Sequence, residues 1–452
     1  MTLFRQPDQL IELSLHALSK YVCKLIDGCI DGVWNISDLC RYLQQLLKDN
    51  VPQSLVSKVT QTLLRSLDSY PAYTDKLSEL LDVLILPTVT RLNFCLDTIH
   101  KPPQKVFHYH WNGHIIPEVL QRVHRLSNLK VLRIFHTFYG EFSYPGSLLE
   151  FTYHNNCDNQ ILNKVTQCCE GLKKLDLYNS TLIGDSSVEL ILKFHFLEHI
   201  DLFGTYINEK GMTKLLQKLS ANKNERNASQ LKSFGCSNLT KNQFDILIRN
   251  YPELSSLKFA KNSGCCDFNF LGNLKRLKSF SISDVSAKDL DKILNTIGGQ
   301  LILLHFGCDE QFDLCNLALK CTNVECLHIN SVSRKIVSKF PEMKSVKCLY
   351  ANLHYCPQAV VCLISKCHNV EVLEVNSDSD GVLISQAILT NPMRALRELN
   401  WWCSEDVRSV TLRVVQHCPN LQILRGYYVW KKYGNVSSEI PPDRSFDFQR
   451  LL

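Results

Sequence analysis

A short phrase, Leu-x-x-Leu-x-Leu or a close variant, recurs about every two dozen residues through most of the chain. It reads Leu129–Ile134, Leu148–Tyr153, Leu172–Leu177, Leu197–Leu202 and Leu231–Cys236. It continues at Leu254–Phe259, Leu277–Ile282, Leu301–Phe306, Val324–Ile329, Val346–Ala351, Val370–Val375, Leu396–Trp401 and Leu421–Gly426. Most start-to-start steps (148→172, 254→277, 277→301, 301→324, 370→396) span 23 to 26 residues. A unit of that length holds one strand and one returning segment, and it cannot bury its own apolar face alone. Stacked units share one core, which predicts a solenoid.

The spacing resembles that of leucine-rich repeats. The resemblance implies an α/β fold, a curved parallel sheet with helices on its convex side and a broad concave face that binds proteins. On this reading residues 87–433 form the solenoid, with about 13–15 repeats counted from its recurring phrase. Residues 1–86 form a small all-α module ahead of it, and 434–452 a tail or cap. Val89–Phe94 is the expected first strand, 106–111 a degenerate second, and 117–126 its helix. The step from Leu197 to Leu231 is long, 34 residues, and its polar excess, 220–229, reads as an exposed loop.

The 20 cysteines are placed informatively. Cys169, Cys321, Cys367 and Cys418 each stand three residues before the first apolar position of a repeat, a register expected of a small buried residue. No Cys-x-x-Cys occurs, and Cys168-Cys169 and Cys265-Cys266 are adjacent pairs with poor disulfide geometry. Net charge is +6 without a block of five or six basic residues, so no nucleic-acid partner is expected. Met1 to Asp8 lacks the basic-then-apolar pattern of a secretory signal, and no run of about 18 apolar residues occurs. The expectation is a reduced protein of the cytoplasm or nucleus, without a membrane span. No Gly-rich phosphate loop, His-Glu-x-x-His or Gly-x-Ser-x-Gly is present, so neither catalytic residues nor a cofactor is expected. His108, His110 and His114 cluster around Trp111 without a Cys or carboxylate at ligand spacing, so no metal site is expected there.

In the amino-terminal module, Ile11, Leu15, Leu18, Val22 and Leu25 fall on one helical face, predicting a helix over 8–26 that Asp27-Gly28 ends. Ser37-Asp38 are placed to cap a second helix carrying Leu39, Leu43, Leu46 and Leu47. Pro52 is placed to start a third with Leu55, Val59 and Leu63 on one stripe, and 75–86 reads as a fourth.

The stretch Ser14-Leu15-His-Ala-Leu18-Ser19-Lys-Tyr-Val22-Cys23 resembles an elongin-C-binding box. In such a box a helix inserts one Leu into an apolar pocket, and a small residue one turn later allows close approach. The resemblance makes Ser14, Leu15, Leu18, Ser19 and Val22 adaptor-binding, with Leu15 the anchor. Ser19 stands where Cys is more usual, and Cys23 where an aliphatic is expected. Val51-Pro52-x-x-Leu55-x-x-x-Val59 resembles a cullin 2 box. The order of the two boxes and the repeats resembles von Hippel–Lindau-box substrate receptors of cullin-RING ubiquitin ligases. The repeats also resemble the Cys-containing type of the antagonist-of-mitotic-exit-network family. The implied partners are elongin B/C, cullin 2 and a protein substrate. Three alternatives stay open: an F-box-like receptor beginning at Val51-Pro52, helices that only cap the solenoid, and a stand-alone scaffold or inhibitor.

Alternate strand positions point to the concave face. Early repeats place Arg133, Phe135, Lys174, Asp176, Tyr178, His199, Asp201 and Phe203 there. Middle repeats place Ser279, Ser281, Ser283, His305, His328 and Asn330 there, a small polar floor. Late repeats place Tyr350, Glu374, Asn376, Glu398, Asn400 and Trp402 there. Trp402, Arg425, Tyr427 and Tyr428, near Trp430, bring aromatics and Arg together, the residue types of interface anchors. Asp176, Tyr178, Asp201, Phe203, Trp402, Arg425, Tyr427 and Tyr428 are the candidate substrate-binding residues. Trp401 is expected to pack inward.

Overall fold

The computed structural model describes residues 7–30, 33, 35–68, 74–94, 115–134, 142–222, 230–260, 268–308, 310, 312–330, 340–352, 357–377, 381–391, 393–403, 413–414 and 416–425. Contacts divide the chain into two compact units, residues 1–230 and 231–452.

The first unit opens with four helices, α1 (Pro7–Ile30), α2 (Ile36–Gln45), α3 (Gln53–Asp68) and α4 (Thr74–Leu84), with a π-helical turn, Leu46–Asn50, extending α2. Then come β1 (Arg91–Asn93), α5 (Ile116–Arg122), β2 (Val131–Ile134), β3 (Glu150–Tyr153), α6 (Asn159–Cys168), β4 (Lys174–Asp176), α7 (Val188–Ile191), β5 (His199–Leu202) and α8 (Glu209–Asn222). Strands β1 to β5 pair in parallel in chain order.

The second unit runs β6 (Ser233–Cys236), α9 (Lys241–Asn250), β7 (Ser256–Ala260), β8 (Ser279–Ser283), α10 (Ala287–Ile297), β9 (Leu303–Phe306), α11 (Leu314–Lys320) and β10 (Cys326–Ile329). It continues with β11 (Cys348–Asn352), α12 (Pro357–Lys366), β12 (Val372–Ser377), α13 (Gly381–Thr390), β13 (Glu398–Cys403) and β14 (Ile423–Arg425). These strands also pair in parallel and in chain order. Each expected phrase carries a strand, and the sheet does not close into a barrel. The fold is an α/β solenoid of the leucine-rich-repeat kind.

The periodicity of the phrase explains the packing. In β7 the side chains of Leu257 and Phe259 are buried while Ser256, Lys258 and Ala260 are partly exposed, the two-residue alternation of a strand with one covered face. Phe280, Ile282, Leu304, Phe306, Leu327 and Ile329 repeat the buried positions in the next strands. The peptide N–H of the first apolar residue donates back to the residue three before it, as from Leu172 to the Cys169 carbonyl (3.2 Å), from Leu254 to Tyr251 (3.1 Å) and from Leu421 to Cys418 (3.1 Å). Cys169, Cys321, Cys367 and Cys418 are all buried in that turn, as expected from the register. Helix starts are fixed by side-chain caps: Asp158 accepts from the Ile161 N–H at 2.8 Å, and Ser286 from the Asp289 N–H at 3.2 Å.

Three boundaries differ from the sequence expectation. Helix α1 continues through Gly28 to Ile30, because Ile26 and Cys29 are buried. That burial outweighs the cost of a helical glycine, about 1 kcal/mol. Helix α2 is capped by Asn35, whose side chain accepts from the Ser37 N–H at 2.9 Å, rather than by Ser37-Asp38. Residues 220–222 of the expected loop are the last turn of α8. The expected strand at 106–111, the histidines at 108, 110 and 114, residues 223–229 and the tail lie outside the described residues.

Candidate protein-binding surfaces

Helix α1 packs on α3 and α2. Its two halves bury their apolar stripe to different extents. In the second half Val22, Ile26 and Cys29 are buried. In the first half Ile11, Leu15 and Leu18 are only half-buried, and Ser14, Ala17, Lys20 and Tyr21 are exposed beside them, Tyr21 to 49%. Ser19 lies on α1 with its side chain outside the described residues. At the start of α3, Pro52 is exposed and its carbonyl accepts from the Leu55 N–H at 2.8 Å. Val51 and Leu55 are half-buried, and Val59 is buried. Both candidate boxes therefore present small or apolar residues at their first turns and turn inward at their last members, Val22 and Val59.

On the sheet face of the first unit, Asp176 and Asp201 are partners in the β4–β5 register. Each carboxylate bends the chain locally. Asp176 accepts from the Tyr178 N–H at 3.2 Å and Asp201 from the Phe203 N–H at 2.9 Å. That repeated turn lines up the rings that follow. Tyr178 and Phe203 stack with centroids 5.6 Å apart, and His154 lies 5.5 Å from Tyr178 on the other side. The His154 Nε2 also lies 3.0 Å from the Asp176 carboxylate. Burial, with the nearby Asp201 and Asp176 charges, pushes the Tyr178 phenol well above its ordinary range, so it remains a neutral donor. The row is closed behind by left-handed backbone at Asn155 (φ 75°), Asn179 (φ 56°) and Gly204 (φ 77°). A Cβ at Gly204 would meet the Asn179 Cα at 2.8 Å, so only glycine fits there. Asp176, Tyr178, Asp201 and Phe203 thus form one half-buried aromatic and acidic strip. His154, its third ring, is a member the sequence reading missed; its register position, one repeat before Tyr178, was the available signal.

In the second unit the expected polar floor is tied up. His305 and His328 are buried. The Asn330 amide donates to the His305 Nε2 at 2.6 Å, so the imidazole proton sits on Nδ1 and reaches the Ser281 hydroxyl, also at 2.6 Å. His328 stacks on Tyr350 with centroids 4.0 Å apart. These groups spend their polarity on one another. Asn400 is buried and donates to Glu398 at 2.8 Å and Glu374 at 3.3 Å. Trp401 is buried, as expected. Trp402 lies on β13 opposite Asn376, and Arg425 on β14 opposite Asn400, with both side chains outside the described residues. Tyr427 and Tyr428 lie wholly outside them.

Among the described residues no group of three or more His, Cys, Asp or Glu is arranged to hold a metal ion, and no helix is long and apolar enough to cross a membrane. No family model matches the chain, and no curated protein matches it in sequence. Among solved structures it is similar to a chain of the Rad7 and Elc1 complex in yeast, with 14% identity, a TM-score of 0.47 and 97% of each chain covered. It is also similar to an internalin (InlF) of Listeria monocytogenes, with 14% identity, a TM-score of 0.32, and 68% of this chain and 78% of that chain covered.

Proposed function

We propose that the chain is a non-catalytic substrate receptor of a cullin-RING ubiquitin ligase. In this reading residues 1–86 are the adaptor module. Helix α1 binds elongin B/C through Ser14, Leu15, Leu18 and Ser19, with Val22 setting its packing. The start of α3, through Val51, Pro52 and Leu55 above Val59, selects cullin 2. The sheet face of residues 87–433 holds a target protein. Catalysis is positional: holding the target near a charged conjugating enzyme raises its effective concentration. The observation that carries the reading is the uneven burial of α1, whose half-covered Leu15 and Leu18 flank exposed Ser14, Ala17 and Tyr21. A partner helix or groove that covers this stripe gains apolar burial without disturbing the buried half.

A second reading, a stand-alone scaffold, is favoured by one observation: α3 side chains bond the outer edge of β1, which is what a plain cap does. An F-box-like receptor would dock through Val51-Pro52 and leave the open stripe of α1 without a role. Affinity purification from cells at native salt separates the three. Recovery of elongin C and cullin 2 by the wild type, lost with Leu15→Asp while the fold is retained, supports the receptor. A wild-type eluate lacking both proteins sinks it. Recovery of the F-box adaptor in their place establishes the F-box alternative.

A further inference from the structure

We propose that Cys326 and Cys348 form a cross-strand dithiol on the sheet face, a modification site that a hydroperoxide oxidises to a disulfide. The two residues are Cα partners in the parallel β10–β11 register. Register partners point to the same face of a sheet, and neighbouring strands lie about 4.7–4.9 Å apart. That spacing falls inside the range of roughly 4.4–6.8 Å between Cα atoms that a disulfide spans. Both cysteines are half-buried, so a small oxidant reaches them. Cys169, Cys321, Cys367 and Cys418 are different: each is buried in the turn before a strand.

The surroundings place a proton acceptor beside the pair. His328 follows Cys326 on the same face of β10, and its Nε2 lies 3.2 Å from the Cys326 sulfur. Its ring is held by the stack on Tyr350, 4.0 Å between centroids and 22° between planes. Cys326 and Cys348 are linked through a side-chain hydrogen bond, so ionising one thiol opposes ionising the other. The ionised member attacks first, and the remaining thiol resolves.

The chemistry balances with the hydroperoxide as sole oxidant. One of the two sulfurs, as a thiolate, attacks the distal peroxide oxygen. The S–O bond forms, the O–O bond breaks, and the leaving alkoxide (hydroxide from hydrogen peroxide) takes up a proton. That cysteine is left as a sulfenic acid. The other thiol then gives up its proton and attacks the sulfenic sulfur. The S–S bond forms, the S–O bond breaks, and the departing hydroxide takes up that proton as water. The His328 Nε2 beside Cys326 receives the Cys326 proton in whichever step that thiol ionises. Two thiols are oxidised and one peroxide is reduced. The assignment stands whether or not the chain is a ligase receptor.

The test uses the full-length reduced protein, treated with a stoichiometric amount of hydrogen peroxide, alkylated, digested without reductant and analysed by mass spectrometry. The expected main product is a Cys326–Cys348 cross-linked peptide, removed by dithiothreitol. In Cys326→Ser and in Cys348→Ser the cross-link should be absent, and the remaining cysteine should be captured by dimedone as a sulfenic acid. His328→Gln should slow cross-link formation several-fold. The cross-link readout in the wild type needs no variant, so a folding defect in a variant cannot hide the result. Oxidation of the exposed Cys168 without the cross-link overturns the proposal.

Discussion

Gln61 on α3 and Asn93 on β1 exchange two hydrogen bonds. The Gln61 Oε1 accepts from the Asn93 N–H at 2.8 Å, and its Nε2 donates to the Asn93 carbonyl at 2.5 Å. This is the pattern a further strand would make, supplied by one amide side chain. One turn earlier the Ser57 hydroxyl accepts from the Thr90 N–H at 2.9 Å. An uncovered edge strand is a template for aggregation, and α3 ends the sheet of the first unit instead. Gln61→Ala is expected to destabilise the first unit by about 1–3 kcal/mol, the usual cost of stranding buried partners. Gln61→Glu should cost at least as much at neutral pH, because a carboxylate cannot donate to the Asn93 carbonyl. Urea unfolding followed by circular dichroism measures both; a midpoint unchanged in both variants would refute the edge-capping role.

Arg122 performs a similar joining task between α4 and α5. It is nearly buried, and its guanidinium donates to Asp82 (2.7 Å), Glu118 (3.0 Å) and Ser78 (2.5 Å). Burial alone would raise the Asp82 carboxyl, but the hydrogen bond and charge of Arg122, joined by Arg125, outweigh it and hold the group below the usual range. Arg122→Met should therefore destabilise by about 2–4 kcal/mol, since it strands carboxylates placed to meet a cation. Asp82 is half-exposed, and solvent screening keeps the loss toward the lower value. Arg122→Lys should recover only part of it, because an ammonium cannot reach three acceptors in a planar fork. Thermal unfolding of the three proteins gives the order; equal midpoints for Lys and Met variants would mean that the fork geometry contributes nothing.

The repeat phrase made the strands, their parallel order and the buried cysteines legible, because an apolar period of about two dozen residues admits few other packings. Helix ends were less legible. Gly28 reads locally as a stop, and only the burial of Cys29 on α1 overrides it. The sheet face was legible as a set of positions, but the fate of each polar group was not. Ser281, His305 and Asn330 read as a small polar floor, and their mutual hydrogen bonds are hidden in the sequence because they run across three repeats. Gln61 meeting Asn93, and Cys326 meeting Cys348, likewise depend on register, which no single segment encodes.

His305 gives a pH signature. Burial, aided by Lys258, lowers its pKa to about 3 from an ordinary 6.5, so the folded protein holds it neutral. The unfolded chain takes up the proton first on acidification. Stability from this group is complete above pH 6.5 and is lost as pH falls from there toward about 3. In spectra of histidine-labelled protein, the His305 ring should keep its Nδ1–H tautomer and show no titration between about pH 8 and 5. A titration midpoint near its ordinary value would show that the ring is not buried in solution.

The Tyr178–Phe203 stack tests the proposed division of labour. Removing it with Tyr178→Ala should cost about 0.5–1.5 kcal/mol beyond the lost burial, and leaves α1 untouched. Co-purified target proteins should fall several-fold while elongin C recovery stays constant. Leu15→Asp should give the reverse pattern. Quantitative mass spectrometry of the two eluates decides it; a parallel fall of both pools with Tyr178→Ala would mean that the strip is not the target surface.

Adjacent Cys168 and Cys169 face different surroundings. Cys168 is exposed at the end of α6, whereas Cys169 is buried in the turn with its sulfur 3.4 Å from the Pro145 carbonyl. Burial pushes the Cys169 thiol up to about 12, and does the same to Cys321 and Cys367. Iodoacetamide at about pH 8 should therefore label Cys168 in the native protein and spare Cys169, although they share a peptide. The same shift sets an alkaline limit. Folded-state values above the ordinary 9.0 mean that the unfolded chain releases these protons first, so the stability they contribute is complete below pH 9 and drains away toward pH 12. Replacing Cys169, Cys321 and Cys367 together by Ala should lower the urea midpoint at about pH 8 yet flatten its decline toward about pH 10. An unaltered slope in the triple variant would place the alkaline sensitivity elsewhere in the chain.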